Sequence, residues 1–220
     1  MIRGVVFDLD GLMFDTEALF HRVLVEMLEA RGKAYTTEIG RAMIGRRAAE
    51  SGPDFKRLAG LDEPVEELML EARTRFYAEM DAAVHPTPGL IALLAKLEAW
   101  NLPRGVATSS RLSYAEMLLK RHGFFDHFDF VLTAEDVTLG KPDPEIYLRA
   151  VERLGFEAGQ VLTLEDSAAG VTAAKGAGTF CVGVPHDHSP ADGLGLADLI
   201  VPRLDDPRLL AILEPRHHHG

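Results

Sequence analysis

The chain has 220 residues, 47% of them hydrophobic and 26% charged, which is the make-up of an ordinary globular protein of one or two packed domains. Its 34 acidic residues outnumber its 23 basic ones, for a formal charge of −11, and no Lys/Arg-rich stripe offsets them, so a binder of nucleic-acid phosphates is not expected. No apolar run approaches the roughly 20 residues that cross a bilayer, and Cys181, the single cysteine, allows neither an intramolecular disulfide nor a cysteine-built metal site.

Arg3, Asp8 and Asp10 fall where a secretory signal would be apolar, so the expected setting is the cytoplasm, with no membrane partner. A first strand is predicted over Gly4 to Phe7. After it, nearly all of residues 16–83 carries helical periodicity, with Phe20, Val23, Leu24, Met27 and Leu28 forming one stripe and Val65, Leu68, Met69, Ala72 and Phe76 another. A strand–helix–strand unit needs only about 30 residues, so a small helical bundle is inserted here. The return at His85, Pro86, Thr87, Pro88 and Gly89 is stiffened by two prolines. Further strands are predicted at Gly105 to Ala107, Phe128 to Thr133, Val161 to Leu164, Thr179 to Val184 and Leu199 to Val201. Helices separate them: one opened by a Ser113/Glu116 capping box, one opened by Asp143 and Pro144 and closed by Gly155, and a small-residue helix from Ser167 to Lys175 stopped by Gly176. This alternation predicts an α/β fold, a doubly wound parallel sheet with an inserted all-helical cap. The expected division is 1–15 with 84–220 as catalytic core and 16–83 as cap.

An open parallel sheet binds its ligand at the carboxyl ends of its strands. There the sequence places Asp8 and Asp10, Thr108 with Ser109, Lys141, and Glu165 with Asp166. Each alone has an ordinary turn or surface explanation; together they converge on one rim. Two unit charges about 5 Å apart repel by roughly 3 kcal/mol at an effective dielectric near 20, so several carboxylates on one rim call for a cation. The donors are all oxygen, which favours Mg2+ over zinc, and a partly hydrated Mg2+ is a usual partner of phosphate groups. Lys141 adds positive charge, and the Thr108 hydroxyl with the N–H groups after it can hold phosphoryl oxygens. Residues two apart in an extended chain share a side, so Asp8 and Asp10 can address one reacting atom, and Gly11 lets the chain turn after them. An aspartate of ordinary pKa is an anionic nucleophile at neutral pH. Asp10 can then protonate the leaving alkoxide if neighbouring charge raises its pKa, and can activate water for the second step.

The segments VVFDLDGLMFDTE (5–17), VATSS (106–110), GKPDPEIY (140–147) and LEDSAAG (164–170), in that order, resemble the haloacid dehalogenase superfamily, in its subgroup of β-phosphoglucomutase-like and phosphoglycolate-phosphatase-like enzymes with a helical cap. The resemblance implies Asp8 as nucleophile, Asp10 as general acid/base, Thr108 and Lys141 as phosphoryl binders, and Asp166 as a magnesium ligand. It further implies that Asp10 reaches the metal through its backbone carbonyl and Glu165 directly or through water. An acid at Asp10 would be idle against a carbon–halogen bond, so the resemblance points to phosphate esters, a small phosphorylated metabolite of sugar-phosphate type. Substrate contacts are expected from Ser109, Ser110 and Glu17, and from Arg46 or Arg47 in the loop after Ile44, whose alternative is a solvated helix start. His21 is placed between site and surface. His186 and His188 read as a wet loop, Met13 and Phe14 as hinge packing or substrate contacts, and the run 217–219 as a tag or natural tail. Mutases of the family typically carry a histidine where this chain has Phe20, which favours a phosphatase; a β-phosphoglucomutase-type mutase and a non-enzymatic phospho-acceptor switch are the alternatives. A monomer or weak oligomer is expected.

Overall fold

In the computed structural model of the protein, residues 1–188 and 191–215 are described; the run 217–219 lies outside them. Among the described residues six parallel strands, β1 (Gly4–Phe7), β2 (Arg104–Ala107), β3 (Phe130–Leu132), β4 (Val161–Glu165), β5 (Phe180–Gly183) and β6 (Leu199–Ile200), form one sheet in the order β3-β2-β1-β4-β5-β6. Four helices, α1 (Thr16–Glu29), α2 (Thr37–Met43), α3 (Ala48–Ala59) and α4 (Val65–Ala83), stand between β1 and the return to the core. The remaining helices are α5 (Leu90–Ala99), α6 (Leu112–Arg121), α7 (Glu145–Leu154), α8 (Ala168–Gly176) and α9 (Pro207–Leu213). None of the described helices is long and apolar enough to cross a membrane.

Alternate strand residues face opposite sides of a sheet. Val5, Phe7, Leu162 and Leu164 join a core with Leu90, Leu93, Leu94 and Leu97 of α5. Val6, Val161 and Cys181 join a second core with Tyr147 and Ala150 of α7 and Ala173 and Ala174 of α8. Burial on both faces is what a continuous apolar strand such as Gly4–Phe7 requires. The first core continues through Leu12, Met13 and Phe14 into Leu19, Val23, Leu24, Met27 and Leu28 of α1 and Leu68, Ala72 and Phe76 of α4, while Phe20 and Met69 pack beside it partly buried.

The two chain crossings between sheet and helical insert are tied together. The Asp15 N–H donates to the His85 carbonyl (3.0 Å), the Thr87 N–H to the Met13 carbonyl (2.9 Å), and Phe14 makes an antiparallel bridge to Pro86. Met13 and Phe14 are fully buried, and the Phe14 ring lies 4.9 Å from that of His122, so both pack at the hinge.

Several predicted boundaries move. Helix α6 starts at Leu112, ahead of Ser113, and no side chain caps it; the Glu135 carboxylate, arriving from the loop after β3, accepts the Leu112 N–H instead (2.8 Å). A tertiary acceptor replaces the local one. Gly176 lies inside α8, and Gly178, with φ +79°, takes the left-handed turn that follows. Strand β3 is shorter than 128–133, because Phe128 follows a 3₁₀ turn and Thr133 caps the next one. The end of α7 is as read, at Gly155, left-handed at φ +69°, but its start moves on by one residue: Pro144 is the N-cap and Glu145 the first helical residue, with the Asp143 carboxylate accepting the Glu145 N–H (2.9 Å) from just outside the helix.

Candidate active site

The strand order places β1 beside β4, with the chain winding outward in both directions from that pair, and an open α/β sheet leaves its ligand crevice at such a reversal. The Asp8 N–H donates to the Leu164 carbonyl (3.0 Å), which seats the end of β1 directly beside Glu165 and Asp166. Lys141, from the loop before α7, is only 2% exposed and reaches this point from the neighbouring side. Its Nζ lies 2.5 Å from Asp8 Oδ1, 2.7 Å from Glu165 Oε1 and 3.1 Å from the Ala107 carbonyl.

Glu165 is fully buried, and its oxygens are taken by protein donors. Oε1 accepts from Lys141 and, in a short bond, from the Tyr147 hydroxyl; Oε2 accepts from the Asp166 and Ser167 N–H groups and the Ser167 hydroxyl. A buried carboxylate needs such partners. A Cβ at position 170 would fall on this carboxylate, so the glycine of LEDSAAG is what lets α8 pass so close to it.

Asp8, Glu165 and Asp166 each bring one carboxylate oxygen within 4.8 Å of the others. Burial pushes the Asp8 carboxyl well above the usual carboxylate range; Lys141 works against this, while Glu165 and Asp166 add to it. Asp166 is raised by burial and then by Glu165. Burial also acts against the Lys141 ammonium, but Asp8 and Glu165 overcome it and hold it above the ordinary lysine value. One ammonium therefore does not balance three carboxylates, and this oxygen-only, charge-deficient cluster fits a divalent cation.

Asp10 stands at the edge of the cluster. Its Oδ2 accepts from the Ser110 hydroxyl (2.6 Å), with Thr108 Oγ1 at a long 3.4 Å, and its Oδ1 accepts from the Tyr114 hydroxyl (2.9 Å). Gly11, at φ +79°, turns the chain after it, and the Gly11 N–H donates to Thr16 Oγ1 (3.1 Å). Thr108 is buried and its hydroxyl accepts the Ser110 N–H (3.0 Å). The Ser109 hydroxyl donates to the Gly45 carbonyl of the α2–α3 loop (3.1 Å). A Cβ on Gly45 would strike Ser167, so that loop sits directly on the catalytic rim.

The two arginines of this loop are both engaged by the protein. Arg46 Nη1 pairs with Asp54 (3.0 Å) and reaches the Ala42 carbonyl. Arg47 donates to the carbonyls of Ala134, Val137 and Thr138 at 3.0, 2.9 and 3.1 Å, and its side chain lies against Gly140, next to Lys141. Glu17, in the first turn of α1, is close enough to Asp166, Asp10 and His186 to feel their charges; burial and then Asp166 push it up to about 8. His21 packs against Tyr35 (4.5 Å between ring centroids) and His188 (4.7 Å).

His186 stands in the partly exposed segment after β5, as a wet loop would have it, but its ring is engaged with the site. Its Nδ1 accepts the His188 N–H (3.2 Å), which leaves the ring proton on Nε2, 2.9 Å from Asp166 Oδ2. His186 follows β5, the strand beside β4, and that neighbouring strand end carries it to the rim. Sequence reasoning also missed Tyr114 and the role of Tyr147, which entered it as the last residue of the segment GKPDPEIY.

The chain matches the haloacid dehalogenase-like hydrolase family over residues 5–184 and belongs to it. Validoxylamine A 7'-phosphate phosphatase of Streptomyces hygroscopicus subsp. limoneus is 36% identical over 94% of this chain and 97% of its own length. A phosphorylated carbohydrates phosphatase of Thermotoga maritima is 32% identical over 90% of this chain and 91% of its own. Among solved structures, CbbY of Rhodobacter sphaeroides in complex with phosphate superposes with a TM-score of 0.79 at 27% identity, covering 94% of this chain and 96% of that one. With the fold and the family in agreement, the chain is a phosphoric monoester hydrolase of this type.

Proposed function

We propose that the protein is a Mg2+-dependent phosphatase that hydrolyses a small, sugar-phosphate-like metabolite through an aspartyl-phosphate on Asp8. The observation that carries this is the Lys141 ammonium 2.5 Å from Asp8 inside a buried carboxylate cluster: it opposes the upward push of burial on the Asp8 carboxyl, and a cation added to the cluster would complete the ionisation of the nucleophile. Residues 1–15 and 84–220 form the catalytic core, and residues 16–83 the cap that excludes water.

Asp8, Asp166 and the Asp10 backbone carbonyl would hold Mg2+, which would supply the positive charge that the three carboxylates lack. Asp8 forms a bond to phosphorus as the ester oxygen departs, and Asp10 gives that oxygen its proton. Water, deprotonated by the same Asp10, then attacks the aspartyl-phosphate, releasing phosphate and restoring Asp8. Lys141 and Thr108 bind phosphoryl oxygens. Glu165, whose own oxygens are occupied, orients Lys141. Ser109, Ser110 and Glu17 face the substrate, whereas Arg46 and Arg47 serve by holding the cap loop. Phe20 supports water as the final acceptor, since its ring packs toward Phe76 of α4 (6.3 Å) and offers no acid or base to a mutase step.

Asp8→Asn is expected to abolish phosphate release across a panel of sugar phosphates, phosphoglycolate and nucleoside monophosphates, and excess chelator to do the same reversibly. Full activity in chelator would remove the metal from the mechanism. Isomerisation of β-glucose 1-phosphate in the presence of its bisphosphate, with no free phosphate, would replace the phosphatase by a mutase.

A further inference from the structure

The Asp10 carboxylate is anchored from two sides that belong to different parts of the molecule. Ser110, in the loop after β2, holds Oδ2. Tyr114, in the first turn of α6, holds Oδ1. The Tyr114 ring in turn lies against α4 of the helical insert, with ring centroids 6.1 Å from both Tyr77 and Phe76 at 50° and 63°. A single tyrosine thus has its hydroxyl on the proposed acid of the core and its ring on the cap.

We infer that Tyr114 is a positioning residue for proton transfer, setting the direction of the Asp10 carboxylate and making that direction depend on how the cap is seated. The inference rests on the reading of Asp10 as general acid/base. A proton donor acts only within hydrogen-bond reach of the atom it serves. With Ser110 alone, one Asp10 oxygen would be fixed and the carboxylate could still rotate about it. The phenol removes that freedom by fixing the other oxygen. It keeps its own proton throughout, since an ordinary phenol, with a pKa of about 10, is protonated at neutral pH and its O–H is what it offers to Asp10 Oδ1. The transferred proton goes from Asp10 to the departing ester oxygen, and Tyr114 takes no share of it.

The spacing of four between Ser110 and Tyr114 brings both to one carboxylate: Ser110 lies in the bend after β2, Arg111 is the extended residue that opens α6, and the first helical turn returns Tyr114 to the same side. On the cap side, Tyr77 is 41% exposed, so its ring can be removed without opening a core.

The test compares Tyr114→Phe with Asp10→Asn on two probes, glucose 6-phosphate, whose alkoxide needs a proton to leave, and p-nitrophenyl phosphate, whose phenolate does not; phenyl phosphate replaces the hexose if it is not turned over. General acid–base catalysis contributes typically 10²–10⁴-fold, and Tyr114→Phe is expected to lose roughly tenfold or more of kcat/KM on the poor leaving group, against under about threefold on the good one; kcat/KM is the quantity compared in every variant, because it ends at departure of the leaving group and excludes the water step that Asp10 also serves. Tyr77→Ala, which touches nothing on Asp10, is expected to show a weaker loss with the same substrate dependence. Equal losses on both probes, or none, in Tyr114→Phe would overturn the inference. If Asp10→Asn is selective for the poor leaving group while Tyr114→Phe is not, only the positioning role fails. If Asp10→Asn itself falls equally on both, the acid role of Asp10 fails and takes this inference with it.

Discussion

The rim at the strand ends and the cap loop that touches it at Ser109 and Ser167 are built on opposite terms. On the rim, Asp8, Lys141 and Glu165 satisfy one another through side chains, so each residue type constrains the next. In the cap loop, Arg47 spends its guanidinium on three backbone carbonyls of the segment after β3. Any residue there would have offered the same oxygens. A site made of mutually dependent side chains leaves a pattern in the chain, whereas a contact made to backbone leaves half a pattern.

The rim should break abruptly. In Gly170→Ala the new methyl meets the Glu165 carboxylate, and the carboxylate cannot move without abandoning Lys141 and Tyr147. Overpacking of this kind costs about 1–3 kcal/mol; kcat is expected to fall on the order of a hundredfold, with a lower midpoint in thermal unfolding. Wild-type turnover in that variant would show that Glu165 does not set Lys141.

The cap loop should yield by degrees. Arg47→Ala removes three hydrogen bonds between loop and core but leaves the carbonyls open to water. A change of about 1 kcal/mol, or roughly fivefold in kcat/KM, is expected from hydrogen bonds of this type. A loss as large as that of Asp8→Asn would instead put Arg47 on the substrate.

Glu17 lies between the two regions and is read through stability rather than turnover. Burial and then Asp166 push its pKa in the folded protein up to about 8, above the ordinary glutamate value of 4.5, so between those values the unfolded chain has released a proton that the folded chain still holds. Stability contributed at this position is therefore complete below pH 4.5 and falls as pH rises towards 8. In chelator, Glu17→Gln is expected to melt with the wild type near pH 4.5 and above it at pH 8.5. Added Mg2+ should shrink the difference, because it offsets the charge of Asp166. A gap independent of pH would mean that Glu17 is ionised in the folded protein.

The same contrast explains what could be read from the amino-acid order. Asp8 and Asp166 stand just beyond apolar strands and Lys141 in the loop that follows a third, and strand ends of a parallel sheet converge, so their meeting was legible. The helical insert was legible from periodicity and from the excess length between β1 and β2. The capping residue of α6 was not, because its acceptor, Glu135, lies far along the chain. His186 was missed as a site residue because its neighbours, Pro185 and Asp187, are turn formers, while what fixes it is the position of β5 beside β4. Tyr114 has no local signature either: one tyrosine in a first helical turn says nothing of a carboxylate 104 residues away.

The bond from the Asp8 amide to the Leu164 carbonyl joins the first strand to the fourth. Nothing of the catalytic centre can assemble until most of the chain has been made and those two strands have paired, although helices such as α1 and α4 close over short distances and form early. In refolding, recovery of turnover should therefore trail recovery of helical signal, and a nascent or partly folded chain is chemically silent.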